Sequence, residues 1–280
     1  MSPPKFVDLF CGLGSFHFSL RRLGWNCVLA SDNDNTLKDL YQKNFGITPK
    51  GDIYDISAED IPEYDVLCAG WPCQPWSQAG KKKGFKDERG TLFLEILRIV
   101  KSTNPKVIIL ENVPALKKHD EGRTFSIISK ELSDHGYTIQ TDILKCSDFG
   151  IPQMRKRLFM VCVRNDLTNM NVFDLEEHKN DLSLSDFLGK NFKKQTAYTI
   201  RCGGRRSGID NRHNWDTYMV DDQEYSLTVD DAKKLQGFGE SFVLSDTPSH
   251  AWRHLGNTIP TNLTYIVGKK VDELLSRQIM

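Results

Sequence analysis

Cys73 stands between two prolines in the stretch 70–77, GWPCQPWS, directly after the apolar run 64–69. Proline cannot donate a backbone hydrogen bond, so the strand predicted over 64–69 ends here and the thiol lies on a rigid turn at its carboxyl end. A thiol on such a turn can be exposed to a substrate, and in its thiolate form it is a nucleophile. The ordinary alternative is a small buried side chain, the commonest fate of a free cysteine.

Glu111 directly follows a second apolar run, 107–110. Because ligands bind at the carboxyl edge of an open α/β sheet, Glu111 and Cys73 can share a pocket there. Arg155 and Arg157 alternate on a predicted strand and are therefore expected to face the same side. Cations in that pocket favour a thiolate, and an aimed acid and guanidinium can stabilise charge that develops on a substrate. The alternative for Glu111 is a structural cap of its strand.

A glycine turn at 12–14 follows the first predicted strand and precedes a helix, as in nucleotide-binding βαβ units. About 20 residues later, Asp32 ends the second strand, where an acid can accept hydrogen bonds from ribose hydroxyls. The third glycine of a phosphate-binding turn is absent, so the pattern favours a nucleoside without a pyrophosphate. The stretch 51–53 follows next, and by itself it indicates only a surface turn.

Two stretches carry basic residues suited to nucleic acid. The lysines at 81–83 lie in the polar run 77–91, where we expect a lid that touches phosphates, although a solvated charge run is the usual alternative. The polar stretch 165–225 combines basic and aromatic residues with glycines, which suits nucleic-acid contact, and a solvated loop is an equally frequent meaning. It contains a basic cluster of Arg201, Arg205, Arg206 and Arg212, and His213, Trp215 and Tyr218 interleave with this cluster.

The composition, with 39% hydrophobic and 26% charged residues over 280 positions, predicts a soluble globular protein. Since the formal net charge is zero, nucleic-acid contact must come from local patches. Seven cysteines without a C-x-x-C pair argue against a disulfide framework and a zinc site, so we expect a reducing compartment and no metal. We expect no signal peptide and no membrane span, because no apolar run approaches about 18 residues.

Apolar runs alternate with amphipathic stretches along most of the chain, and this alternation predicts an α/β fold. Strands are predicted at 5–10, 27–30, 64–69, 107–110, 137–144 and 157–163. Helices are predicted at 16–23, 91–101, 123–132 and 230–237. A last helix is expected to open at 256–260 and to run toward Arg277.

Taken together and in order, six motifs resemble those of the C5-cytosine DNA methyltransferases of the restriction–modification type, nearly end to end. They are DLFCGLG at 8–14, PCQ at 72–74, ENV at 111–113, Q-x-R-x-R at 153–157, LQGF at 235–238 and GNTIP at 256–260. The resemblance implies a Rossmann-like S-adenosylmethionine-dependent methyltransferase sheet. It also implies a catalytic, cofactor-binding domain of residues 1–164 plus 226–280 and a small target-recognition domain of residues 165–225.

The resemblance implies a role for each motif residue. Cys73 would add to C6 of a flipped-out cytosine so that C5 can take the methyl group of S-adenosylmethionine. Glu111 would neutralise charge at N3 and Arg157 would hold O2, with Arg155 beside them. The implied cofactor residues are Phe10, Gly12, Leu13, Gly14, Asp32, Asn33, Asp52, Ile53, Leu92, Asn257 and Thr258. The implied DNA contacts are Gln74, Ser77, Lys81, Lys82, Lys83, Arg201, Arg205 and Arg206.

The partner implied by the resemblance is double-stranded DNA, with a cognate restriction endonuclease acting in the same system without a stable complex. We expect a monomer in the cytoplasm of a prokaryote, of bacterial or phage origin. One alternative is a tRNA cytosine-5 methyltransferase of the same family, but its Cys-Phe-Thr tripeptide is absent here. A catalytically silent DNA-binding member and a dinucleotide oxidoreductase are weaker, since the motif residues are intact and the third glycine is missing.

Four positions depart from the family pattern. Ser15 replaces a further glycine, and Asp32 replaces a longer glutamate at the ribose. Asn33 stands where an aromatic side chain often stacks on adenine. Asp230 stands where an arginine often braces the recognition domain. None of these positions belongs to the chemical core, so we expect effects on cofactor affinity or on the small domain only.

Overall fold

A six-stranded sheet organises the protein in a computed structural model that describes residues 2–72, 92–167, 170–176 and 182–277. Its strands are β1 Lys5–Leu9, β2 Asn26–Ser31, β3 Val66–Gly70, β4 Val107–Asn112, β5 Tyr137–Lys145 and β6 Lys156–Arg164. They lie in the order β2-β1-β3-β4-β6-β5. Strands β1 to β4 are parallel, and β6 runs antiparallel to both β4 and β5. The α/β prediction is therefore confirmed.

The central strands are apolar along almost their whole length because helices cover both faces of the sheet. All six residues of β4 are buried, including the polar pair at its end. The helices are α1 Ser15–Leu20, α2 Asn35–Phe45, α3 Leu92–Thr103, α4 Arg123–Asp134, α5 Leu184–Leu188, α6 Val229–Leu235, α7 Pro248–Asn257 and α8 Thr261–Arg277. Within the described ranges, no helix is long and apolar enough to cross a membrane.

The stretch 256–260 was expected to open the last helix, and this prediction is wrong. Asn257 is the final residue of α7, and α8 begins only at Thr261. Thr258 has an extended backbone, with φ −73° and ψ 154°, and therefore breaks the helix. Pro260 then precedes α8, where its missing N–H is harmless. The stretch is thus a bend between two helices, which frees its backbone and side chains to line a site.

Residues 165–225, expected to form a small separate domain, contain more regular structure than their polar sequence indicates. They include α5 and strand β7 Thr217–Val220, which pairs with β8 Gln223–Ser226. Trp215 and Tyr218 are only 1% and 2% exposed, so these aromatics are core residues and not platforms for bases. Their apolar core is continuous with that of the main sheet. The division into two domains stays a prediction.

Strand register brings the chemically interesting residues to one edge of the sheet. Gly70, the last residue of β3, lies opposite Glu111 near the end of β4. In the antiparallel pair β4–β6, Asn112 lies opposite Leu158, so Arg157 stands at the same edge. The carboxyl ends of β1 to β4 and the amino end of β6 therefore meet there, as expected for a ligand site in an open α/β sheet.

Candidate active site

A cavity of about 540 Å³ opens at this edge of the sheet. Its walls come from the turn after β1, the end of β2, the ends of β3 and β4, the start of β6 and the bend after α7. The lining residues are Phe10, Cys11, Gly12, Leu13, Ser15, Phe16, Asp32, Asn33, Asp34, Leu37, Gly70, Trp71, Pro72, Leu92, Glu111, Asn112, Val113, Arg157, Arg253, His254, Asn257, Thr258 and Ile259. Eight of the eleven predicted cofactor residues are among them.

The turn after β1 positions one wall of the cavity. Strand β1 ends at Leu9, one residue earlier than predicted, because the backbone of Phe10 has a left-handed φ of 54°. Gly12 and Gly14 also have positive φ, which glycine adopts without strain. Gly14, predicted to contact the cofactor, does not line the cavity. A Cβ there would lie 2.4 Å from the Phe45 ring, so this glycine permits α2 to pack against the turn.

Asp32 is fixed by the backbone on both of its carboxylate oxygens. Gly12 N–H donates to Oδ2 at 2.9 Å, and Asp34 N–H donates to Oδ1 at 2.9 Å. Burial raises the pKa of Asp32, although these two hydrogen bonds oppose the shift. The shorter acid is therefore held rigidly at the cavity wall by the turn that faces it, in a position to accept further hydrogen bonds through its remaining lone pairs.

Asp52 and Ile53 were also predicted as cofactor residues, but neither lines the cavity. The Asp52 side chain caps a short 3₁₀ helix by accepting from Tyr54 N–H at 3.2 Å. Its other oxygen accepts from Asn33 Nδ2 at 3.4 Å, and Asn33 does line the cavity. Ile53 is 2% exposed and packs in the core. Asp52 is thus a neighbour of the wall residue Asn33.

Glu111 and Arg157 form a buried ion pair in the cavity wall. Arg157 Nε lies 2.8 Å from Glu111 Oε1, and the two side chains are 14% and 8% exposed. The contact is ionic and poorly aligned for a hydrogen bond, since Oε1 has no hydrogen-bond partner among the described residues. Burial raises the pKa of Glu111, and the charges of Arg157 and Arg155 only partly oppose the rise. This carboxyl can therefore carry or share a proton at a ligand.

Arg155, expected beside Arg157 in the catalytic pocket, is placed differently. It precedes β6, is 1% exposed and does not line the cavity. Its guanidinium donates to three carbonyls: Ile200 O at 2.8 Å, Gly256 O at 2.9 Å and Thr258 O at 2.8 Å. Burial lowers its pKa to about 9, which leaves it protonated at neutral pH. Arg155 therefore ties Ile200 and the bend after α7 to the sheet. It acts on the site through that bend and through its charge, which opposes the rise in the pKa of Glu111.

The bend after α7 is joined to α1 by Ser15, one of the departures from the family pattern. The Ser15 hydroxyl donates to Ile259 O at 2.6 Å and lies 3.1 Å from the hydroxyl of Thr258. A glycine at this position could make neither contact. Thr258 is 7% exposed, whereas Asn257 is exposed at the rim and accepts from the Cys202 thiol at 2.9 Å. Both predicted cofactor residues of this bend line the cavity.

Asp34, Arg253 and His254 line the cavity without having been predicted from the sequence. Arg253 lies one turn before Asn257 on α7 and therefore shares its face. If a helix ending at Asn257 had been predicted, Arg253 would have been expected on the same face as Asn257. The sequence pattern instead predicted that a helix begins at 256–260. His254 is 4% exposed, and its pKa is lowered by burial and by Arg253.

The predicted DNA-reading arginines differ in their surroundings. Arg205 Nε lies 3.3 Å from the fully buried Asp216 carboxylate, and its guanidinium stacks 3.8 Å from the ring centroid of Trp252. It also donates to Leu227 O at 3.1 Å. These contacts hold Arg205 against the core, and its role in base reading stays a prediction. Arg201 and Arg206, by contrast, are exposed.

Six predicted residues lie outside the described ranges: Cys73, Gln74, Ser77, Lys81, Lys82 and Lys83. The chain is described up to Pro72, and both Trp71 and Pro72 line the cavity. The residue that follows in sequence is Cys73. In the described part of the chain, no group of three His, Cys, Asp or Glu side chains could hold a metal ion.

Comparison with known proteins identifies the family of this chain. The model of the family described as C-5 cytosine-specific DNA methylase matches residues 4–202. The type II methyltransferase M.HhaI of Haemophilus parahaemolyticus is 31% identical, with 97% of this chain and 95% of that protein covered. M.NlaX of Neisseria lactamica is 34% identical, with 97% of each chain covered. The resemblance inferred from the six motifs is confirmed.

Solved structures share the fold at lower identity. The Dnmt2 methyltransferase of S. pombe superposes with a TM-score of 0.74 at 20% identity, covering 97% of this chain and 99% of that one. A putative DNA modification methyltransferase encoded within a prophage (E. coli) gives a TM-score of 0.77 at 18% identity, covering 98% and 99%. The predicted methyltransferase sheet is therefore confirmed.

Proposed function

Because the chain belongs to the C-5 cytosine-specific DNA methylase family, we propose that it is a DNA (cytosine-5-)-methyltransferase that uses S-adenosylmethionine. Its substrate is a cytosine flipped out of a specific short duplex site, since the target atom lies inside the stacked duplex. The observation that carries the proposal is the buried Glu111–Arg157 pair, which lies in the cavity wall beside the end of the strand that leads to Cys73.

The cavity fits the cofactor in size and polarity. Its volume of about 540 Å³ lies within the usual range for small-molecule sites. Asp32 and Asn33 offer polar groups for the nucleoside, and Phe10 and Leu92 offer apolar surface. The two arginines that line the cavity each face an acid within 2.8 Å, so no free cation in the described wall awaits a diphosphate. When bound, S-adenosylmethionine supplies an electrophilic methyl group.

The chemical roles follow from the carbon that must react. Cytosine C5 becomes nucleophilic when the Cys73 thiolate adds to C6, which pushes charge toward N3 and O2 of the ring. Glu111, with its raised pKa, places a shared proton at N3, and Arg157 donates to O2. After C5 has gained the methyl group, its proton passes to water and the thiolate leaves C6. The Arg157 contact keeps the Glu111 carboxyl aimed while this happens.

Sequence reading is proposed to belong to residues 165–225. Arg201 and Arg206 are exposed there, and arginine reads guanine through a two-pronged contact to O6 and N7. Lys81, Lys82 and Lys83 are proposed to touch phosphates from the lid. In the cell the protein would act as the modification partner of a restriction system or as an orphan methylase, in the cytoplasm and as a monomer.

Covalent trapping tests the proposal. A duplex in which 5-fluorocytosine replaces the target cytosine should form a stable adduct with the wild-type protein, because the fluorine cannot leave as the proton does. The Cys73→Ser variant should form no adduct and transfer no methyl group. Cys202→Ser, which changes an exposed cysteine but keeps a hydroxyl that can donate to Asn257, should be trapped normally. The target duplex would first be identified by bisulfite mapping of DNA from cells that express the protein. An adduct on another cysteine, or full activity of Cys73→Ser, would contradict the assignment.

A further inference from the structure

Two charged residues from distant parts of the chain meet at the rim of the cavity. Arg253 Nη2 lies 2.8 Å from Asp34 Oδ2, and 219 residues separate them in sequence. Both line the cavity. Asp34 belongs to the wall that also presents Asp32 and Asn33, whereas Arg253 belongs to the wall formed by α7 and its bend. The ion pair therefore spans the cavity rim from one wall to the other.

The Asp34 carboxylate is held in place by the helix that it begins. Its Oδ1 accepts from Thr36 N–H at 2.9 Å and from Leu37 N–H at 3.3 Å, which is the usual N-cap arrangement. Only Oδ2 is left to face Arg253. The helix start thus sets the direction of this oxygen. On the other side of the pair, Arg253 Nη2 also lies 3.3 Å from His254 Nε2.

Arg253 is suited to opening and closing. Its side chain is 49% exposed and that of Asp34 is 29% exposed, so breaking the pair exposes both charges to water at little cost. The deeper joint between the walls, from Ser15 to Ile259 O, is independent of this pair. The two walls can therefore stay assembled while the rim contact opens.

We propose that the Asp34–Arg253 ion pair is a clasp across the nucleoside end of the cofactor cavity, and that it must open before the cofactor can leave. This inference rests on the proposed function, since it takes S-adenosylmethionine and its product S-adenosylhomocysteine as the occupants. An exposed pair is worth roughly 0.2–1 kcal/mol, so its loss should speed release by about 1.4- to 5-fold. Because the pair is exposed, salt should weaken it.

Three variants test the clasp. Asp34→Asn removes the charge but keeps the N-cap, since asparagine caps as well as aspartate. Arg253→Gln removes the partner charge, and the double variant completes a cycle. The control Lys130→Gln breaks an exposed ion pair on α4, away from the cavity. Dissociation rates of both ligands are measured by stopped-flow fluorescence at low and high ionic strength.

The clasp predicts that both single variants and the double variant release either ligand equally fast, and faster than the wild type and the control. High salt should raise the wild-type rate to that of the variants and leave the variants unchanged. Wild-type release rates in all variants would overturn the inference. A field effect would also overturn it. In that case the two single variants would shift the release of S-adenosylmethionine, which has a net positive charge, in opposite directions, and they would leave the release of the product, whose net charge is zero, unaffected. Failure of the wild type to bind either ligand would overturn the proposed function and the clasp with it.

Discussion

Gly70 offers a direct test of whether the position of the Glu111 carboxyl controls the chemical step. A Cβ added at Gly70 would lie 2.9 Å from Ile259 Cδ1 and 3.3 Å from Glu111 Oε2. Its backbone does not have the positive φ that excludes alanine. Gly70→Ala therefore keeps the strand and introduces one methyl group between two side chains of the site.

The two contacts have different consequences. The terminal methyl of Ile259 can turn away, so the cost in stability should be at the low end of the range for overpacking, about 1 kcal/mol. Glu111 must yield by a few tenths of an ångström against Arg157. Since a misplacement of about 1 Å can cost about 100-fold in rate, we expect the chemical step to slow roughly tenfold.

The assay separates these effects with a second substitution. Ile259→Val removes Cδ1 and with it the tighter contact. In the Gly70→Ala background it should restore the free energy of unfolding, measured in urea, but not the single-turnover methylation rate at saturating cofactor. Gly239→Ala is the control, because a Cβ there meets nothing within 4 Å.

Two results would refute this reasoning. If Ile259→Val restores the methylation rate, the contact with Ile259, and not the displacement of Glu111, caused the loss of rate. If Gly70→Ala methylates at the wild-type rate while its stability falls, then the position of the carboxyl is not critical and the proposed proton sharing at N3 is wrong.

Two further predictions concern protonation and base reading. Burial raises the pKa of Glu111, and the proposed mechanism uses its protonated form. The ratio of the wild-type to the Glu111→Gln single-turnover rate should therefore fall as pH rises through that pKa, because both proteins share the same Cys73 titration. Below that pKa, Glu111→Gln should be slower by about two to four orders of magnitude, with unchanged cofactor binding. A near-normal rate in Glu111→Gln would reduce Glu111 to a strand cap. On a randomised-site library, Arg206→Ala should relax the preference at one base at a cost of about 1–3 kcal/mol, whereas Arg205→Gln should lower the melting temperature and leave the preference intact. The reverse pattern would show that Arg205 reads the base.

Much of the sheet and its edge could be predicted from the sequence, because the physics involved is local. An apolar run that ends in a charged residue, such as 107–110 followed by Glu111, marks both a buried strand and the edge where its polar end emerges. The spacing from the glycine turn located Asp32, and the alternation of apolar runs with amphipathic stretches predicted the α/β fold. Phe10, Leu13 and Thr258 were placed in the cofactor site by family resemblance, and the cavity contains them.

The partners of individual side chains could not be predicted, because they lie far away along the chain. Arg155 has the sequence pattern of a catalytic cation, yet two of its three acceptors are 101 and 103 residues away. Gly14 lies in a sequence pattern typical of a cofactor-binding turn, but glycine is needed there because a Cβ would clash with the Phe45 ring. Arg253 belongs to no sequence motif, and only the structure shows that α7 brings it to Asp34 at the start of α2.

Residues 165–225 show a different limit of prediction from sequence. Their polar composition hides β7 and β8, and it makes Trp215 resemble a base-stacking residue. In a short hairpin whose faces pack against a larger body, burial is decided by contacts beyond the segment, and neither periodicity nor composition reports them.

The joint between Ser15 and Ile259 has a consequence for how the protein is made. These residues are 244 positions apart, so the walls of the cavity come from segments that are far apart in the sequence. A chain still growing on the ribosome can pair β1 with β2, but it lacks α7 and the bend that completes the cavity. Contacts of such long sequence separation form late and slowly. Methylation would therefore begin only once residues 248–261 have emerged and docked, and translation stopped before them would leave a chain that cannot enclose its cofactor.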